Sequence, residues 1–91
     1  MEKVSATGVE NYIEEIGSNG AVMYIRVETT QEGILINAPI KKGKTELAVL
    51  ARQQDGKNIL LIKSGVEITT DEFYDIFKKS AEVIAEIIGI K

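Results

Sequence analysis

The chain has no cysteine and no histidine among its 91 residues. These absences remove disulfides, thiolate nucleophiles, thiolate metal sites, the commonest general base and the commonest zinc ligand. Tryptophan is also missing, there is one proline, and only five residues are aromatic: three Tyr and two Phe. No run is long and apolar enough for a membrane span, since Val83 to Ile90 is broken by Glu86, and Met1 to Gly8 lacks a signal-peptide core. The expectation is a cytoplasmic protein with no membrane partner and no cofactor.

What remains is an ordinary single-domain composition, 44% hydrophobic and 27% charged. The length allows one small core over residues 1–91, with 1–6 as a flexible N-terminus and association as the expected source of further stability. The net charge of −3 is unevenly spread. Residues 1–38 carry a local balance of −4, residues 39–65 one of +4, and residues 66–91 one of −3. The basic middle contains Lys41, Lys42, Lys44, Arg52, Lys57 and Lys63.

No internal repeat or linker divides the chain. Thr7 and Glu10 have capping-box spacing, and Val9, Tyr12, Ile13 and Ile16 recur at helical intervals, which predicts a short helix over 8–16. After Gly17-Ser-Asn-Gly20, the alternation of Met23, Ile25 and Val27 with Tyr24, Arg26 and Glu28 predicts a half-buried strand. Ile34 to Ile40 reads as a second strand, with Pro39 placing it at an edge or at the margin of pairing. Residues 45–53 fit both templates; strand is preferred because Asp55-Gly56 signals a hairpin with Asn58 to Ile62, and helix is the alternative. The strand beginning near Asn58 is expected to run on to Ile68. Thr69 and Glu72 then form a second capping box, Ile68 and Phe73 have staple spacing, and a long helix over 70–88 follows. Its predicted core stripe is Phe73, Ile76, Phe77, Ser80, Ile84, Ile87 and Ile88.

The expected fold is therefore α+β: a short N-terminal helix, a four-stranded antiparallel meander, and a long C-terminal helix packed on one sheet face. The helix is apolar beyond one stripe near its end, so a homodimer contact is expected at Val83, Ile84, Ile87 and Ile88.

Chemistry is constrained mostly by exclusion. Ala38 to Thr45 spells a relaxed phosphate-loop pattern, but the context is a lysine-rich turn between antiparallel strands. Asp71, Glu72 and Asp75 are explained by compensation of the helix dipole, so no metal is expected. No Ser, Thr, Lys or Tyr lies beside a recognisable base, so catalysis is not expected. The six basic residues, joined by Tyr24 and Arg26 on the polar side of a strand, form a candidate surface for a phosphate backbone with one stacking ring.

At Lys63-Ser-Gly-Val-Glu-Ile-Thr-Thr-Asp-Glu-Phe73 the sequence resembles the last strand and helix start of the Positive Cofactor Four family of transcriptional coactivators. The order of strands followed by one long helix is similar too. The resemblance implies a fold shared with the Whirly-like proteins and binding of single-stranded DNA by dimers or higher oligomers. Two functions are expected to compete: a homodimeric single-stranded DNA- or RNA-binding protein, and a non-catalytic homodimeric interaction or assembly module with no nucleic acid partner. Charge segregation and the family likeness favour the first, which is the expected function; overall acidity, scarce aromatics and the absence of catalytic groups favour the second.

Overall fold

The computed structural model describes residues 2–6 and 9–89. Six strands, β1 (Glu2–Ala6), β2 (Val9–Ile16), β3 (Ala21–Thr30), β4 (Gly33–Lys42), β5 (Thr45–Arg52) and β6 (Asn58–Ile62), precede one helix, α1 (Thr70–Ile88). The strands form a single antiparallel sheet in chain order, each paired with its sequence neighbours. Among the described residues no helix is long and apolar enough to cross a membrane.

The α+β class and the long C-terminal helix agree with expectation, but the expected four-stranded sheet has six strands, because β1 and β2 extend the meander. Residues 45–52 are strand. The predicted helix over 8–16 is instead β2, and residues 2–6 form β1 along its free side. Register explains the misleading period. Tyr12 and Ile16 face the core side opposite Ile25 and Ala21, whereas Val9 and Ile13 face the other side opposite Glu28 and Tyr24. A strand apolar on both faces thus imitates helical spacing. Thr7 lies outside the described residues, and Glu10 is a strand residue whose carboxylate accepts a hydrogen bond from the Tyr12 hydroxyl.

Turn chemistry sets the meander. Thr30 pairs with Gly33 across Gln31-Glu32, and its hydroxyl accepts from the Glu32 and Gly33 amides. Lys42 pairs with Thr45 around Gly43, whose φ of 63° supplies the positive angle that a two-residue hairpin demands. Asp55-Gly56 does close a hairpin, but within a five-residue connection, where the Gly56 amide donates to the Gln53 carbonyl at 2.9 Å.

The core lies between α1 and the inner sheet face. Met23, Ile25, Ile36, Ala38, Ile40, Ala48 and Leu50 line the sheet side, and Ile76 and Val83 descend from the helix. A bulge in β5 sets Leu47 and Ala48 against Ile40, so two consecutive residues are buried where strict alternation would expose one. Ser80 is buried too, its hydroxyl donating to the Ile76 carbonyl at 2.7 Å. The predicted helix stripe is rotated: Val83 belongs to the core at 1% exposure, whereas Phe73 and Phe77 are 51% and 54% exposed. β6 ends at Ile62 rather than continuing to Ile68, and Val66 and Ile68 reach the core from irregular chain.

The helix start is capped as its residues predict. Thr69 accepts from the Glu72 amide at 3.1 Å, and Glu72 accepts from the Thr69 amide at 3.1 Å. That amide bond first, and then Lys42 at 3.2 Å, hold the Glu72 carboxyl below its ordinary range. Thr69→Ala is expected to lower stability by about 1 kcal/mol in urea unfolding. A lowered folded pKa means that the stability Glu72 contributes is complete above its ordinary value of 4.5 and is lost as pH falls through the folded value. Glu72→Gln should remove that part of the acid dependence, and an unchanged acid limb would refute the role.

Gly17 opens the β2–β3 connection with φ of 60°, and a Cβ there would stand 2.6 Å from Asp75 Oδ2. The carboxylate can swing aside, so the backbone angle is the larger obstacle. Gly17→Ala is expected to cost about 1–2 kcal/mol, and adding Asp75→Ala should restore little of it; full rescue would show that the clash dominates.

Candidate nucleic-acid interface

One sheet face is left uncovered by α1. Its side chains come from alternate residues of each strand, and register aligns them in rows across the sheet. The central row is Ile13, Tyr24, Pro39, Val49 and Leu61. Beside it run Asn11, Arg26, Asn37, Ala51 and Ile59. On its other side are Glu15, Val22, Lys41 and Glu46.

Pro39 has no amide to donate, yet it sits inside the sheet, since Ala38 pairs with Leu50 and Ile40 with Ala48. The expectation that Pro39 marks an edge or the margin of pairing is therefore overturned: β4 is central, and Pro39 pairs with Val49 inside the ladder. In place of an amide, Pro39 offers a compact apolar ring in the same row as Tyr24.

A depression of about 550 Å³ occupies the centre of this face, lined chiefly by Asn11, Ile13, Tyr24, Arg26, Asn37 and Pro39. Tyr24 is 44% exposed there. An exposed ring, a guanidinium and two amides thus converge on one hollow. Arg26 also borders a second cleft of about 710 Å³, shared with Asn37, Arg52, the Glu28 carboxylate and the β5–β6 connection with its Asp55. Arg26 links the two. This arrangement can stack a planar ring, hydrogen-bond its edge and receive an anion.

The predicted basic set is only partly brought together. Tyr24, Arg26, Lys41 and Lys63 belong to the uncovered face, but Lys63 is ion-paired with Glu46 at 2.9 Å. Lys42 turns the other way and pairs with Glu72 at 3.2 Å. Lys44 stands in the β4–β5 turn, while Lys57, paired with Asp55 at 3.5 Å, stands in the connection at the opposite end of the sheet. The Arg52 guanidinium donates to the Asn58 side chain at 3.0 Å. Across β2–β6 the uncovered face carries Glu15, Glu28 and Glu46 against Arg26, Lys41 and Lys63, a balance of no net charge. The basic middle of the sequence is not a single basic surface.

Asn11 and Asn37 were not legible as site residues. Asn11 falls in the segment read as helix. Asn37 carries a signal in principle, as the lone polar residue of Ile34–Ile40, in phase with Leu35 and Pro39.

The inner face of β2 is a second polar region. Lys79 pairs with Glu14 at 3.1 Å across the helix–sheet boundary. The hydrogen bond to Glu10 pushes the Tyr12 hydroxyl pKa up, with burial and the charges of Glu10 and Glu86 adding to it. The Lys79–Glu14 contact docks α1 along β2.

Of the expected dimer residues, Val83 is consumed by the protomer's own core, and Ile84 and Ile87 pack against that core. Ile88 is half-buried at the helix end. Compared with known protein families, with curated proteins and with solved structures, the chain matches none.

Proposed function

We propose that this is a non-catalytic, cytoplasmic, single-stranded nucleic-acid-binding protein, DNA or RNA, that acts as a homodimer and uses the uncovered sheet face. The observation that carries the reading is the convergence of Tyr24, Arg26, Asn11 and Asn37 on one hollow of about 550 Å³. Tyr24 is the stacking platform for a base, backed across the row by Pro39. The two amides meet polar atoms on the base edge, and Arg26 meets a phosphate and guides the strand towards the Arg52 cleft. The likeness of Lys63–Phe73 to the Positive Cofactor Four family supports the same reading.

The face has balanced charge, so stacking rather than phosphate neutralisation supplies most of the affinity. That distinguishes this site from a basic groove. It also narrows the residues that matter: Lys42 and Lys57, each already paired with a carboxylate, contribute little.

The apolar central row favours a second reading, an assembly module that docks another protein on the same face without nucleic acid. Fluorescently labelled single strands separate the two. In low salt, Tyr24→Ala should weaken binding by about 1–3 kcal/mol. Arg26→Gln should flatten the log–log salt dependence by about 0.7 for the lost phosphate contact, whereas Lys42→Gln should leave that slope unchanged. A folded protein with no measurable affinity for single strands at low salt would leave the assembly reading standing alone.

A further inference from the structure

The edge strand β6, Asn58-Ile-Leu-Leu-Ile62, has no charge, no proline and no bulge, and it is apolar on both faces. Leu60 and Ile62 face the helix side opposite Leu50 and Ala48, while Ile59 and Leu61 face the uncovered side at 41% and 55% exposure. Edge strands are ordinarily blunted by charge, proline or irregularity, because their free amides and carbonyls are a template for another strand. β6 has none of these guards.

The ladder shows which groups are free. Lys63 N–H donates to the Leu47 carbonyl at 3.0 Å. Antiparallel alternation from that bond turns the backbone groups of Ile59 and Leu61 towards β5 and those of Asn58, Leu60 and Ile62 towards the open edge. Alongside, α1 exposes Phe73 and Phe77. A groove of about 340 Å³ runs between helix and strand, floored by Leu50 and Leu60, walled by Phe77, Ala81 and Ile84, and lined by no charged residue.

We propose that β6 pairs antiparallel with β6 of a second copy about a two-fold axis at Leu60, joining the two sheets edge to edge. An antiparallel edge is its own complement, which an isologous contact requires. Leu60 exchanges both backbone hydrogen bonds with the partner's Leu60, and Ile59 stands opposite the partner's Leu61. No charges lie within the paired strands, and at their ends the register sets Lys57 opposite the partner's Lys63, each already paired with a carboxylate of its own copy, Asp55 and Glu46. The Phe77 side chains of both copies close the groove from the helix side. Ile59, Leu61 and Phe77, all exposed in the single copy, add apolar surface beside the paired edge. This replaces the helix end as the dimer contact and does not depend on nucleic acid.

Sedimentation velocity of the full chain, without nucleic acid, tests it. At about 100 μM the wild type should sediment as a dimer. Leu61→Lys, at a position already more than half exposed, and Asn58→Pro, which removes an edge-facing amide, should each weaken self-association at least about 100-fold while keeping the wild-type circular dichroism. Val9→Lys, on the uncovered face opposite Glu28 and remote from β6, should leave the dimer intact. A monomeric wild type overturns the proposal. So does a dimer that survives in folded Leu61→Lys, or one lost in Val9→Lys but retained in Leu61→Lys, since that pattern places the contact on the sheet face.

Discussion

One helix has to cover one face of a six-stranded sheet, and it is too narrow to do so. Six strands spaced about 4.8 Å apart put the outer two about 24 Å apart, whereas a helix with its side chains is about 10–12 Å across. The centre of the inner face is therefore dry and closely packed, with Ala21, Ala38 and Ala48 letting the helix approach and Met23, Ile25, Ile40 and Leu50 filling the space around it. Away from the helix axis the inner face changes character. On the β2 side it becomes polar, and Lys79 reaches across to Glu14. On the β6 side it stays apolar, with Leu60 and Ile62 only half-buried against the core. The two margins answer the same shortage of cover in opposite ways.

The opposite sheet face has no helix at all, which makes its composition informative. A face that met only water would carry polar residues throughout, as antiparallel sheets with one wet side do. Here a row of apolar side chains crosses five strands, flanked by amides and by charges of both signs. Such a surface favours flat, partly apolar ligands over highly charged ones. The electrostatic segregation along the sequence therefore overstates the basic character of the folded surface, because folding brings Glu46 to Lys63 and Glu72 to Lys42.

The most legible elements in the sequence were those whose signal is local. The α1 cap is an example, because Thr69 and Glu72 satisfy each other within one turn. β3 is another, since its buried and exposed residues alternate cleanly from Ala21 to Val27. β2 was not legible because its pattern reflects two surfaces at once, a core on one side and a half-buried row on the other. Phe73 and Phe77 depart from the expected core stripe for a related reason: helical spacing identifies an apolar stripe without saying which of two adjacent stripes meets the sheet. In the candidate site, Tyr24 and Arg26 followed from strand alternation alone. Asn11 and Asn37 required the register between β2, β3 and β4, which no single segment encodes.

The order of strands in the sheet bears on how the chain reaches its fold. Every ladder joins neighbours in sequence, most of them through connections of two to five residues, so loop-closure entropy is small at each step and β3, β4 and β5 can zip from their turns. Helix docking is different. The Lys79–Glu14 contact spans 65 positions and closes only after the intervening hairpins have brought β2 and α1 to the same side of the sheet. Until then Met23, Ile25, Ile40 and Leu50 line an open sheet, so the last event in assembly is also the one that removes the core from water.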